Sequence, residues 1–272
     1  MSHESAPRLI ADEAERLELY RSAGFRVSAL TQADLLVVVE GKNDSPLLKL
    51  QFSELGRASV NSAGGRSRVL REVEQLAPYE LPIIGAVDRD IDAPPPAGSI
   101  ADRITVWPTG DVEGVYLSDD VALQVMIDKG LIKAEFAHVR QLRGLLNQLV
   151  AGQRDNVVAE MAQRWLRQQM AWEWPSPKGS EPIDRLMSAV DTMQTLTRSD
   201  AERAVRRAEA TWEGLDEAEL WSVVRAKAIT NQFASQASHM RSGQALLEAV
   251  AREQPQLDGF AEFAAKLSTA LA

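Results

Sequence analysis

Two hydrophobic patterns divide the chain. Between residues 34 and 107 apolar positions come in short, β-branched runs at Leu35–Val39, Ala58–Asn61, Pro82–Val87 and Arg103–Trp107. Runs of this length and type suit strands buried on both faces, as in a parallel sheet. Between them the spacing becomes helical, with Val69, Val73 and Leu76 on one side of Arg66–Leu76. Ser45 and Pro46 read as the N-cap and first residue of a helix reaching about Leu55. Pro108–Gly114 reads as a loop, followed by a helix near Ser118–Ile127. This alternation predicts βαβ crossovers and an α/β fold, with a Rossmann-like, mostly parallel sheet of about four strands.

Beyond about residue 130 the strand pattern stops. Segments 131–151, 155–173, 181–196, 199–212, 215–233, 241–253 and 257–271 read as helices, punctuated by Pro175, Pro177, Gly179, Gly214 and Gly243. A short amphipathic helix is expected over 8–21, and no repeat of fixed period is present. The expected organisation is an N-terminal helical segment (1–30), an α/β domain (31–128) and an all-helical C-terminal domain (129–272).

The 272 residues are 45% apolar and 25% charged, an ordinary globular composition. Cysteine is absent, which excludes disulfides, thiolate nucleophiles and Cys-ligated zinc. The histidines His3, His138 and His239 are scattered, and Glu135 with His138 has no second such pair to build a di-metal site. No secretory signal opens the sequence, and no apolar run approaches the ~20 residues of a membrane helix. The expectation is a cytoplasmic chain without membrane contact. A net charge of −9 argues against grip on nucleic acid through overall basicity. Residues 31–120 alone hold fifteen acids against eight bases.

In open parallel sheets ligands bind beyond the carboxyl ends of the strands. The first strand delivers Glu40 and then Asp44; the third delivers Asp88, Asp90 and Asp92; the fourth leads to Asp111 and Glu113. Asp88 and Asp90 are two apart and face the same way in extended chain. Converging carboxylates repel and raise one another's pKa. A hard divalent cation such as Mg²⁺ removes that cost, and two ions about 3.5–4 Å apart can clamp the oxygens of a phosphodiester undergoing displacement. For any single acid the competing reading is a helix cap or turn residue. Asp44 could simply favour the positive end of its helix. Asp92 and Asp111 read as loop residues.

Gly41-Lys42 lacks the upstream glycine of a phosphate-binding P-loop. Gly64-Gly65 is either an anion-binding turn or a tight turn. Arg57, Arg66, Arg68 and Arg71 line either a phosphate groove or a solvated helix face. Trp165, Trp172, Trp174, Trp212 and Trp221 read as core or interface anchors, and Arg198–Arg207 as a solvated helix.

VEGKND after one buried strand and VDRDID after another resemble the TOPRIM domain of topoisomerases, bacterial primases and nucleases of the OLD (overcoming lysogenization defect) family. Glu40, Gly41 and Asp44 match its first motif, and Asp88 with Asp90 its second. The loop at 111–117 is similar to the acidic strand-4 loop of OLD-like proteins, although Gly114-Val115-Tyr116 stands where Asn-Tyr is usual. The resemblance covers about residues 34–120. It implies a TOPRIM-like nuclease using one or two Mg²⁺ or Mn²⁺ ions, with Glu40, Asp44, Asp88, Asp90 and Glu113 as ligands, and Glu40 alternatively as general acid/base. It also implies a downstream lysine that stabilises charge on the phosphate. Lys227 in VVRAKAITNQF, with Arg225 beside it, is the candidate; the competing reading is a surface lysine on an amphipathic helix.

With no Walker A motif in the sequence, the chain resembles a stand-alone effector paired with a separate ABC/OLD-type ATPase, as in PARIS-type anti-phage systems of the abortive-infection kind. The implied function is an endonuclease acting on DNA, RNA or tRNA, with self-association as a homodimer left open. The alternative is a non-catalytic regulatory or docking subunit of an ATPase complex. A primase-type nucleotidyl transferase is weakened by the lack of a zinc module.

Overall fold

The computed structural model describes residues 33–79, 82–91, 93–169 and 196–272. The helix expected over 8–21, Asp92, Trp172, Trp174 and nearly all of the 181–196 segment lie outside the described residues. Four strands form one parallel sheet in the order β2-β1-β3-β4: β1 (Leu35–Val39), β2 (Ala58–Ser62), β3 (Ile83–Val87) and β4 (Ile104–Val106). The register pairs Leu36 with both Ser59 and Ile83, and Gly85 with Ile104. All five residues of β1 and of β3 are buried, because both strands are central and covered on both faces. The edge strand β2 is half-buried.

Two crossover helices produce the parallel pairing. Helix α1 (Asp44–Gln51) links β1 to β2, and α2 (Arg66–Leu76) links β2 to β3. On one face Val69, Val73 and Leu76 of α2 pack with Leu36, Val38, Ile83 and Ile104. The start of α1 differs from the expectation. Asp44, not Pro46, is its first residue, and Ser45 makes no cap; its hydroxyl faces the Val60 carbonyl at 3.4 Å.

After β4 the chain does not loop through to residue 114. Asp111 caps a short helix α3 (Val112–Leu117) by accepting from the Gly114 N–H, and Asp119 caps α4 (Asp120–Asp128). The described helices that follow are α5 (Val139–Ala151), α6 (Arg154–Gln169), α7 (Arg198–Glu213), α8 (Glu217–Val223), α9 (Ala226–Ala237), α10 (Gly243–Ala251) and α11 (Ala261–Leu271). Past β4, the only β-pairing among the described residues is an isolated bridge between Ile132 and Ser238. The segment expected as one helix over 215–233 is two, broken at Val224–Arg225.

Contacts divide the chain differently from a split at residue 129. One compact unit runs to Val150 and resumes at Trp221–Ala272; the other is Ala151–Leu220. Aromatic packing explains why the C-terminal helices belong with the sheet. Phe260 and Phe263 meet Trp107 with ring centroids 5.6 Å apart, and Phe260 also meets Phe52 and Tyr116 edge-on. The Tyr116 hydroxyl donates to Gln51 Oε1, and Gln51 Nε2 donates to the Pro255 carbonyl. In the second unit α6 and α7 pack together, with the Arg207 guanidinium 5.5 Å from the Trp165 ring and Arg154 near Glu209 and Glu213.

Candidate active site

The first motif is a folded-back turn. Asp44 Oδ2 accepts the Gly41 N–H at 2.7 Å, which curls the chain leaving β1 into α1. A Cβ on residue 41 would stand 2.7 Å from Asp44 Oδ1, so only glycine lets the carboxylate turn back this closely. Glu40 reaches sideways along the sheet edge, and its Oε2 accepts the Asp88 N–H at 3.2 Å. The ends of the two central strands are thereby tied through a carboxylate.

The loop after β4 supplies two further acids, both only 2% exposed: Asp111 and Glu113. Asp111 links two helices. Its Oδ1 accepts from Gly114 at the start of α3, and its Oδ2 accepts from the backbone N–H of Lys227 at the start of α9. A helix N-terminus has unpaired N–H groups that favour an anion, and here one carboxylate serves two helices.

The break between α8 and α9 docks onto this loop. The Gly110 N–H donates to the Trp221 carbonyl at 2.7 Å. A Cβ on residue 110 would lie 2.2 Å from the Val224 carbonyl oxygen, so the approach requires glycine. Docked this way, the break presents two cations to the acids. Arg225 Nη2 donates to Asp90 Oδ1 at 2.6 Å, and its Nη1 donates to the Gly110 carbonyl at 2.6 Å and to Asp88 Oδ2 at 3.4 Å. Lys227 Nζ lies 3.6 Å from Glu113 Oε1.

Burial dominates the electrostatics. Asp88 is pushed up to about 8, first by burial and then by Asp111, Asp44 and Glu40, against the pull of Arg225. Glu113 is pushed up to about 7 by burial and by Asp111, with Lys227 opposing. Burial also raises Asp44, opposed by the Gly41 N–H and Lys227, and raises Asp111, opposed chiefly by the Lys227 and Gly114 N–H groups. For Lys227, burial alone would lower the pKa, but Glu113, Asp44, Asp88 and Asp111 together raise it.

Of the expected site residues, the structure ties Glu40 to Asp88 at the ends of the two central strands, joins Asp88 and Asp90 through Arg225, sets Asp44 in the turn after Glu40, and places Glu113 beside Lys227. Two participants were not assigned from sequence. Asp111 reads in the sequence as a loop residue, and Arg225 only as the neighbour of Lys227. Of the arginines weighed for a phosphate groove, Arg66 borders the site, where it donates to the carbonyls of Asp88 and Pro94. Arg57 pairs with Asp34, and Arg68 faces the Ala63 carbonyl.

The donor set fits a hard divalent cation in its chemistry. It consists of carboxylate oxygens, and two of them, Asp88 Oδ1 and Glu113 Oε2, are buried without any hydrogen-bond partner. As folded, the acids are engaged by Arg225 and Lys227. Among the described residues no three His, Cys, Asp or Glu side chains are gathered closely enough to hold a metal ion. No described helix is long and apolar enough to cross a membrane. No protein-family model matches the chain, and comparisons with curated proteins and with solved structures gave no match.

Proposed function

We propose that the chain is a metal-dependent endonuclease of TOPRIM-like type, hydrolysing phosphodiester bonds in nucleic acid with Mg²⁺ or Mn²⁺. The observation that carries this reading is the crowding of Glu40, Asp44, Asp88, Asp111 and Glu113 at the carboxyl edge of the sheet, with two buried oxygens left unpartnered. Burying acids in each other's company costs stability. Asp111 repays part of that by capping two helices, but Asp88 Oδ1 and Glu113 Oε2 cap nothing. Groups kept at such cost fit a role outside folding.

In this proposal Glu40, Asp88, Asp90 and Glu113 would hold the cation by drawing closer together than they stand here, with Asp44 behind them fixing the turn. A bound divalent ion supplies charge against the phosphate oxygens and lowers the barrier to attack by water. Lys227, with a half-exposed side chain beside Glu113, would stabilise negative charge developing on the phosphate. A separate ATPase as partner and a role in antiviral defence complete the proposal.

Cleavage of plasmid DNA and of tRNA by the purified chain, with Mg²⁺, Mn²⁺ or EDTA, tests it. Metal-dependent cleavage should fall at least about a hundredfold in Glu40→Gln and in Asp88→Asn. Full activity in either variant overturns the reading. The second reading, a silent subunit within an ATPase complex, draws on Arg225, whose guanidinium already pairs with both members of the Asp-x-Asp motif. Absence of cleavage by free protein on every substrate, with tight binding to an ATPase, selects it.

A further inference from the structure

We propose that Arg225 is a built-in counter-cation that pairs with the carboxylates a divalent ion would use, so that metal binding and the Arg225–Asp88–Asp90 pairing exclude one another. This rests on the metal-dependent reading above and adds a competitor to it.

The geometry points to competition rather than to simple support. One guanidinium spans Asp88 Oδ2 at 3.4 Å and Asp90 Oδ1 at 2.6 Å, the two acids that leave β3 facing the same way. Guanidinium is a rigid planar fork, weakly hydrated, and can serve two carboxylates at once. The other oxygen of Asp88 is buried and unpartnered, so a single arginine does not satisfy the pair. Glu113, only 2% exposed and paired with Lys227, likewise keeps one oxygen unpartnered. Asp88 and Glu113 thus each keep an oxygen that no hydrogen-bond donor engages.

Two structural facts make release local. The backbone beside Arg225 is pinned, through the Gly110 N–H to Trp221, the Val224 carbonyl against Gly110, and the Lys227 N–H to Asp111. The Arg225 side chain is itself about one-third exposed, at 32%. Turning toward solvent on this fixed helix start breaks its bonds to Asp88, Asp90 and the Gly110 carbonyl without moving the backbone. There it remains at the mouth of the site as a positive group for an incoming phosphate.

Mn²⁺ titration of the full chain by calorimetry and by loss of the free-ion electron-spin signal tests the competition. Arg225→Gln should bind Mn²⁺ about tenfold or more tighter than wild type. Arg225→Lys keeps the charge but loses the planar fork that spans Asp88, Asp90 and the Gly110 carbonyl, so it should also bind more tightly, by a smaller factor. Asp88→Asn should lose binding. Equal affinity in wild type and Arg225→Gln, with binding lost in Asp88→Asn, overturns the competition while the metal-dependent reading stands. Tighter binding in Arg225→Gln with no change in Arg225→Lys assigns the effect to overall charge and also overturns it. No binding by any of the proteins overturns both. Wild type alone gives an independent check if the glutamine variant does not fold. The Arg225 side-chain NMR signal should shift to that of a solvated arginine on saturation with Mg²⁺, and an unchanged signal at saturation overturns the proposal.

Discussion

Asp88→Asn should make the metal-free protein more stable, by an amount that grows with pH. The folded carboxyl is pushed up to about 8 from an ordinary 3.8, chiefly by burial. Below about pH 4 it is protonated in both folded and unfolded chains and contributes nothing. Between there and about pH 8 the folded chain keeps a proton that the unfolded chain has released, so stability falls as pH rises. At about 1.36 kcal/mol per pH unit, the interval from about pH 5 to about pH 8 costs on the order of 4 kcal/mol. That is large against a typical domain stability of about 5–15 kcal/mol. Asparagine is close in shape and cannot ionise, so the variant lacks this slope, while Glu113 and other groups titrate in both proteins and drop out of the difference. Urea melts in EDTA at both pH values, followed by near-ultraviolet circular dichroism of the Trp107 cluster, measure it. Mg²⁺ should narrow the gap by stabilising only wild type. Parallel slopes in the two proteins, or an Asn variant less stable at pH 8, would refute the reasoning and make Asp88 a net favourable partner of Arg225.

Three further changes separate architecture from chemistry. Gly110→Ala drives a methyl onto the Val224 carbonyl, 2.2 Å from the added Cβ, and should cost about 1–3 kcal/mol in urea melts and displace Arg225 and Lys227 together. Gly56→Ala, where nothing lies within 4 Å, is its control and should change stability by less than about 1 kcal/mol. Asp111→Ala removes acceptors from two helix starts and should destabilise by about 2 kcal/mol or more, even under conditions where no metal is present. Lys227→Ala should leave the melting curve nearly unchanged and lower cleavage by about a hundredfold, since its ammonium is half-exposed. A cleavage rate equal to wild type would return Lys227 to a surface role.

The strands and the acids after them were legible because both are local signals. Leu35–Val39 and Pro82–Val87 are continuous apolar runs, and each ends on the carboxylate that the structure places at the sheet edge. Asp111 was half legible. An aspartate three residues before Gly114 is a plausible helix cap, but the loop reading hid the short helix it starts, and nothing local announced that a second helix would dock on its other oxygen. The break at Val224–Arg225 was not legible at all. VVRAKAITNQF contains neither glycine nor proline. The helix stops where the Trp221 carbonyl is taken by Gly110, a contact more than a hundred residues distant in sequence, and tertiary contacts of that kind override propensity.

That distant break also decides what can count as a domain. Residues 31–120 hold most of the chain's excess negative charge, and Asp44, Asp111 and Glu113 are among the most buried polar groups of the described residues. The cations placed against them, Arg225 and Lys227, come from beyond residue 220, in the same C-terminal stretch that packs Phe260 and Phe263 against Trp107. A module ending at residue 128 would carry Asp88, Asp111 and Glu113 without those partners and would leave Asp111 Oδ2 without its helix N–H. Ending there would also uncover Phe52, Trp107 and Tyr116, whose rings Phe260 and Phe263 pack against. The sheet and the C-terminal helices therefore form one compact unit, which ties the chemistry of the sheet edge to the packing of Trp221–Ala272.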